Sequence, residues 1–499
     1  MSESPNNAIM ERPPLFRSLI GFTLLLGAVA LCATTRVDTA QQASFPEIFV
    51  VNSTGDGDDA FHGDGQCETA VGNGVCTLRA AIEEANAHAG GDGISFSIPT
   101  SQPYCNAITG ACTIYPFKAL PNISDSVNIN GPGADKLNVQ NITNQQFPIF
   151  SVTTSGTVNI SSLTLGSLDQ GEPSSGSGIQ NSNSGTVNVT NCIFINNLVS
   201  SSSSSDTTPT KGGGIYNNSG TVHVTSSTFS FNRGDSNVIS YGAGLYNNTG
   251  TVSVVNSTFN NNNADGGGGI FNENGVVSVT GCTFHDNGAS IWGGGITSFA
   301  GTVNVTNSTF YANIAYSRQT SGIFGVGGGI ANFGTLNLTN STVTANFSGA
   351  GGSGVFSGNG STAGVVNTRS TIIALNYGGE SFSGTSPDVF GAFQSQGFNF
   401  IGKKDGSTGF TVATDKRGTI ASPLNPALSP KGLRDNGGPT QTVALLQGSP
   451  AIDKGTSNGL TGTLTTDQRG FSRTVDNSSI ANASGGDGTD IGAFEFGAH

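Results

Sequence analysis

The chain has 499 residues, of which 74 are Gly, and only 10% are charged. Soluble chains average about 25% charged residues, so surface ion pairs cannot hold this one together, while 35% hydrophobic content with 30 Phe supplies a bulky core and excludes wholesale disorder. The 19 basic against 32 acidic residues give a net charge of −13, the wrong sign for a protein that neutralises nucleic-acid phosphates.

Residues 1–40 read as an export signal or N-terminal anchor. Arg12 and Arg17 precede an apolar run from Leu19 to Ala33, and the small residues Ala28, Ala30, Ala33 and Ala40 offer cleavage sites. An uncleaved anchor is the alternative reading of the same run. Leu31 is too large for a lipobox, which argues against lipidation of Cys32. No later segment is apolar for long enough to span a bilayer.

Residues 41–121 form an N-terminal cap. Export permits disulfides. Cys67, Cys76, Cys105 and Cys112 allow three connectivities, and Cys67–Cys76 with Cys105–Cys112 is preferred because both loops are short. The segment Cys76 to Asn86 (CTLRAAIEEAN) predicts a helix with Leu78, Ile82 and Ala85 on one face, Arg79 paired with Glu83 at i,i+4, and Gly90 and Gly91 after its end. Ile94, Phe96 and Ile98 alternate as a strand. Asp56, Asp58, Asp59 and Asp64 are acidic enough to invite Ca²⁺, but they lack EF-hand spacing, and a solvated loop is the preferred reading. CTLRAAIEEAN resembles the N-terminal signature of bacterial CSLREA-domain proteins, with Thr77 and Ala80 where that motif has Ser and Glu. The resemblance implies an exported repeat protein.

Residues 122–376 repeat. The block GTVNVTNCIFINN at Gly185 recurs from Gly220, Gly250, Gly275, Gly301, Gly334 and Gly364, with a weaker copy at Gly156 and a fragment at Ser126 to Gly131. Val187, Val222, Val252, Val277, Val303, Leu336 and Val366 lie two past the Gly, and Val189, Val224, Val254, Val279, Val305 and Leu338 two further on, the alternation of a half-buried strand. Phe194, Phe229, Phe259, Phe284, Phe310, Val343 and Ile373 lie nine past the Gly. Buried parity has switched from even to odd, so a bend intervenes, and Asn, Ser, Thr and Gly fill it. Twelve past the Gly every block has Asn: Asn197, Asn232, Asn262, Asn287, Asn313, Asn346 and Asn376. Stacked at about 4.8 Å, these amides form a ladder at a corner.

Glycine clusters at Gly212, Gly242, Gly267, Gly293 and Gly327 supply a third short strand after a corner with unusual backbone angles. Three strands per coil, no helix and inward columns of Val and Phe predict a right-handed parallel β-helix. Cys192 and Cys282 share one column three coils apart, about 14 Å, and are expected to stay reduced and inward-facing. The alternation of glycine clusters with Phe229–Asn232 (FSFN), FNNN, FHDN and FYAN resembles the repeats of polymorphic outer membrane proteins. That resemblance implies a pectin-lyase-like β-helix over roughly 200 residues. Those proteins end in an autotransporter barrel, a feature this sequence does not show.

Residues 377–499 carry GFNFIG at Gly397, DNGGPTQTVALLQGSPAIDKG from Asp435, DQRG at Asp467 and DIGAFE at Asp490. In order, these resemble the choice-of-anchor Q domain, which implies a cell-surface protein. Only Phe496 to His499 follow the last motif, so release or retention through the N-terminus is expected over covalent C-terminal attachment.

No nucleophile elbow, zinc-protease, Cys-x-x-Cys or Walker pattern occurs, and the five His are dispersed. The GxGxxG at Gly349 to Gly354 has no following helix. GGDGTD at Gly485 is a single calcium-type nonapeptide, whereas such repeats bind in tandem. Asp235 and Asp265 lie fifteen past their Gly with Arg233 nearby, the best candidates for paired carboxylates acting on a sugar. The next coils have Ser290 and Tyr316 there, and solvated loop acids are the preferred reading. Outward strand positions carry Asn188, His223, Ser253, Ser278, Asn304 and Asn337, a neutral face.

These readings converge on an exported, adhesin-like or structural cell-surface β-helix that contacts glycans or other surface ligands. A polysaccharide lyase or glycoside hydrolase is the alternative. No residue is assigned a catalytic, cofactor or metal role, and neither nucleic acid nor membrane beyond the N-terminal segment is an expected partner. Three or more charged side chains on one exposed sheet favour the enzyme; aromatic platforms in a groove favour a glycan binder.

Overall fold

A computed structural model describes residues 47–141, 147–167, 175–200, 208–234, 238–316, 325–358, 363–379 and 386–499. Residues 1–40, read from sequence as an export signal or anchor, and Asp235 lie outside these. Among the described residues no helix is long and apolar enough to cross a membrane.

The architecture is a parallel β-helix of the right-handed sense that parallel crossovers take. Strands such as Thr186–Thr190, Thr221–Thr225 and Thr251–Val255 stack in register on a first face, Val187 opposite Val222 and Val222 opposite Val252. Ile193–Ile195, Thr228–Ser230 and Thr258–Asn260 do the same on a second face, Phe194 opposite Phe229 and Phe229 opposite Phe259. The ladder starts earlier than the repeats show: Ile48–Val51 pairs with Asp92–Phe96, which pairs with Val127–Asn130. Coils have four faces, not three. Two- to five-residue strands such as Arg233–Gly234, Asn263–Gly266 and Gly288–Trp292 make a third face, and the glycine-cluster strands, among them Ile215–Asn217 and Leu245–Asn247, make the fourth.

The corners explain the sequence pattern. Ser226, Asn256 and Asn307, six past their Gly, adopt φ of 46° to 50° and switch the buried parity between first and second faces. Phe231, Asn261, Asp286 and Ala312 turn the second corner at φ of 54° to 56°. At the entry to the fourth face only Gly fits: Gly267 has φ 60°, and a Cβ there would lie 2.3 Å from the Ile270 carbonyl oxygen.

Inside, the Val columns are fully buried, and Phe194, Phe229, Phe259, Phe284 and Phe310 stack at centroid distances of 4.5, 4.4, 4.8 and 4.7 Å. The Asn ladder is present. Each amide donates to the next from Asn197 to Asn376, at 2.8 to 2.9 Å. A second amide ladder, Asn181 to Asn217 to Asn247 to Asn272, all at 2.9 Å, runs at the fourth corner and was not expected. Cys192 and Cys282 are free and buried, as expected. They sit in a hydroxyl column in which Ser227 Oγ accepts the Cys192 N–H and Cys282 Sγ accepts the Ser257 N–H. Burial pushes the Cys192 thiol up to about 11 and Cys282 to about 12.

The first ladder ends on Asp388, whose Oδ1 accepts both Asn376 N–H (2.7 Å) and Asn376 Nδ2 (2.9 Å). Burial pushes this carboxyl up to about 6, against the pull of the Lys403 ammonium. A raised value means its contribution to stability is full in acid and is lost as pH climbs through about 6. In Asp388→Asn, the fall in unfolding free energy between pH 4 and pH 7 is therefore expected to shrink by about 2 kcal/mol relative to the parent protein, read from urea midpoints.

At the N-terminal end, helix α1 spans Leu78–Ala87, capped by the Thr77 hydroxyl, which accepts from Ala80 N–H at 3.1 Å. Leu78, Ala81, Ile82 and Ala85 join the main core, so the helix closes the first coil. Disulfides join Cys67 to Cys76 and Cys105 to Cys112, the preferred connectivity.

At the other end the chain returns over the second face. Thr440 Oγ1 donates to Gly281 O, Gln468 Nε2 to Cys282 O, and Asn307 Nδ2 to Thr466 O. Ala493 N–H reaches Thr342 Oγ1. Thr283, Thr309 and Thr342 of the second face are therefore buried beneath residues 440–493.

Candidate ligand-binding surfaces

The acidic cluster of the cap divides: Asp58 and Asp64 are solvent-exposed, as a solvated loop requires, whereas Asp56 and Asp59 turn inward. The Asp56 side chain is covered and Asp59 is buried. Arg79 points at Asp56, with Nε to Oδ1 and Nη2 to Oδ2 both 3.0 Å, and not at Glu83, because it lies on the face of α1 turned toward the 56–59 loop. Glu83 instead accepts from Asp59 N–H at 2.7 Å. Lys118 holds Asp58 at 2.7 Å. Among the described residues no group of His, Cys, Asp and Glu is placed to hold a metal ion.

Asp265, read as a solvated loop acid, is buried instead. One oxygen accepts Ser240 N–H (2.9 Å) and Oγ–H (3.2 Å), and the Ser290 hydroxyl bonds the other. It bonds residues of the coils on either side, so Asp265 knits coils together. In the glycine-rich tail, Asp487 of GGDGTD accepts from Ser457 N–H and Oγ–H, the latter at 2.6 Å.

The tail motifs do converge, on one buried ionic knot. Asp453, Asp467, Asp490 and Glu495 meet Arg469 and Arg473 out of solvent. Arg469 donates to Asp467 Oδ2 at 2.7 Å and lies over the Phe494 ring at 3.7 Å. Arg473 donates to Gly492 O (2.8 Å) and Asn307 Oδ1 (2.6 Å), with Glu495 Oε2 3.9 Å away. Burial raises the carboxyls of Asp490 and Glu495, and their proximity to other acids adds to it. This knot bolts the tail to the rod.

Three surfaces remain open to ligands. On the first face, outward amides bond rung to rung, Asn188 to Asn159 at 2.6 Å and Asn337 to Asn304 at 2.7 Å, confirming a neutral flank.

On the fourth face an unexpected aromatic run crosses the coils. Tyr216, Tyr246 and Phe271 stack at 5.5 Å centroid spacings. The next two rungs carry Thr297 and Ala331, whose small side chains leave room that Trp292, Phe299 and Phe333 fill. Phe356 and Phe390 continue the run at 5.6 Å, only 3° from parallel. Tyr241 lies 4.5 Å from Phe271. Tyr246 and Phe271 are covered by their neighbours, while Phe299 is 43% exposed and Trp292, Phe333 and Tyr241 keep part of their faces open. Lys211 sits 4.8 Å over the Tyr246 ring and pairs with Glu273 at 3.5 Å.

At the second corner a furrow of about 420 Å³ is lined by Phe231, Arg233, Asn261, Asn263, Asp286 and Tyr316. Its rim is built by the left-handed corner residues Phe231, Asn261 and Asp286, whose backbone turns their side chains outward one per rung. Phe231 is 41% and Tyr316 48% exposed. Of the described candidates Arg233 and Asp265, Arg233 lines this furrow.

No family model, curated protein or solved structure matches the chain.

Proposed function

We propose that the protein is an exported, adhesin-like β-helix of the cell surface or extracellular space that binds glycans along the aromatic run of its fourth face. The observation that carries this reading is the run itself: nine rings, Tyr216 to Phe390, of which Tyr246 and Phe271 are covered and the others keep open faces, on a rod with few charges. Sugar rings present C–H faces that pack on aromatic platforms while their hydroxyls stay wet, and a repeated platform suits a repeated polymer. Two disulfides in the cap fit an oxidising compartment, and the CSLREA-like and choice-of-anchor Q-like motifs fit surface display. Against the alternative of a lyase or hydrolase stands the burial of Asp265 between serines.

The chain has one Trp, Trp292, which ends a third-face strand and packs against Phe299 and Phe333, so its fluorescence reports on the edge of the aromatic run. Titration with a panel of neutral and charged oligosaccharides is expected to shift Trp292 emission, and Phe299→Ala to weaken binding about tenfold, the worth of one aromatic contact. A panel without any response contradicts the reading. Cleavage of a panel member establishes the enzyme instead.

A further inference from the structure

We infer that the second-corner furrow is a separate subsite for a sugar carrying an anionic substituent, carboxylate or sulfate, gripped by Arg233 and packed against Phe231 and Tyr316. The inference rests on the reading that the rod binds glycans.

The furrow's volume of about 420 Å³ lies at the small end of ligand cavities, room for one or two sugar rings. Its two aromatic side chains are among the most exposed large apolar residues of the rod, although a corner position does not require a ring: the equivalent of Phe231 is Asn261, Asp286 or Ala312 in the next coils. Asn261 and Asn263 add amides that both donate to and accept from hydroxyls.

Charge sets the polarity of the site. Among the described residues no carboxylate pairs with Arg233, so none of them competes with a planar bidentate acceptor for its fork of N–H donors. Asp286 belongs to the coil two rungs further along, about 10 Å away, and bonds His285 Nδ1 at 2.8 Å. The furrow is therefore cationic at one end and hydroxyl-accepting at the other. The chain's net charge of −13 repels anions at long range, so only a ligand that also packs on the rings profits from the lone arginine.

The test uses the full chain and calorimetric titration with uronate oligosaccharides, sulfated oligosaccharides, neutral oligosaccharides of the same linkage, and inorganic sulfate. One anionic class is expected to bind at least tenfold tighter than its neutral counterpart. Arg233→Ala should remove that preference, Arg233→Lys should restore part of it, and Asp286→Asn should leave the anionic sugar bound as tightly or tighter. Because Arg233 is exposed, these variants should keep the parent urea midpoint. Equal affinity for neutral and anionic sugars, an unaffected Arg233→Ala, or inorganic sulfate binding as tightly as the sugar would each overturn the inference. Neutral sugars that shift Trp292 emission in every variant leave the fourth-face reading standing in that event; silence from both sites removes both.

Discussion

Asn287→Ala is expected to lower the unfolding free energy by about 3–5 kcal/mol, read from urea midpoints. Asn287 Oδ1 accepts the Asn262 N–H (3.1 Å) and Nδ2 (2.8 Å), and its own Nδ2 donates to Asn313 Oδ1 (2.9 Å) and Phe259 O (2.8 Å). All these groups are buried, so alanine leaves orphaned donors and acceptors that water cannot reach, each costing about 1–3 kcal/mol with incomplete additivity. Asn287→Asp should also destabilise, since a carboxylate keeps the two acceptor roles but sets negative charge against Asn313 Oδ1 and Phe259 O. The contrasting control is Asn304→Ala, on the half-exposed first-face column, where a change within about 0.5 kcal/mol is expected. Equal effects at the two positions would mean that the inner ladder does not bear the coil-to-coil pairing.

Arg473→Met should detach the tail. The guanidinium is fully buried, and without it Glu495 and Asp490 lose their nearest cation while Gly492 O and Asn307 Oδ1 lose donors, a loss of about 3–5 kcal/mol in the local stability of residues 440–495. Amide exchange corrected for intrinsic rate would show those residues opening while the Val and Phe coils before Gly275 stay protected. The parent protein should show a milder form of the same opening with pH. Asp490 and Glu495 have folded values raised above the ordinary carboxylate range, so docking is strongest in acid and weakens as pH rises through those raised values. In Arg473→Met the opening should come at lower pH. Tail protection that rises with pH would show that these acids are ionised and well paired in the fold.

Much of the rod was legible because its determinants recur at fixed distances from one glycine. Val222, Phe229 and Asn232 hold the same offsets in coil after coil, and a parallel stack turns equal offsets into columns. What lacks a fixed offset stayed hidden. The third-face strands are mostly two residues long, too short for an alternation to show, and follow loops of unequal length. In the aromatic run Tyr216, Tyr246 and Phe271 share an offset, but Trp292, Phe299 and Phe333 come from flanking positions and meet only in space. The furrow joins Phe231 to Tyr316 across several coils for the same reason. Arg79 was assigned to Glu83 by helix spacing, yet a buried guanidinium seeks a buried partner, and Asp56 comes from outside the helix. The second amide ladder was readable in principle, since Asn217, Asn247 and Asn272 each end a glycine-cluster strand.

The stacking of coils is tested most directly by spin-label distances on the first face. With one label at Asn159 and the second at Ser253, Asn304 or Asn367, the pairs lie three, five and seven rungs apart. Distances rising by about 4.8 Å per rung, to about 14, 24 and 34 Å between backbones, are expected. Distances that fail to grow with the number of intervening coils would contradict a single stacked rod and every surface built on it.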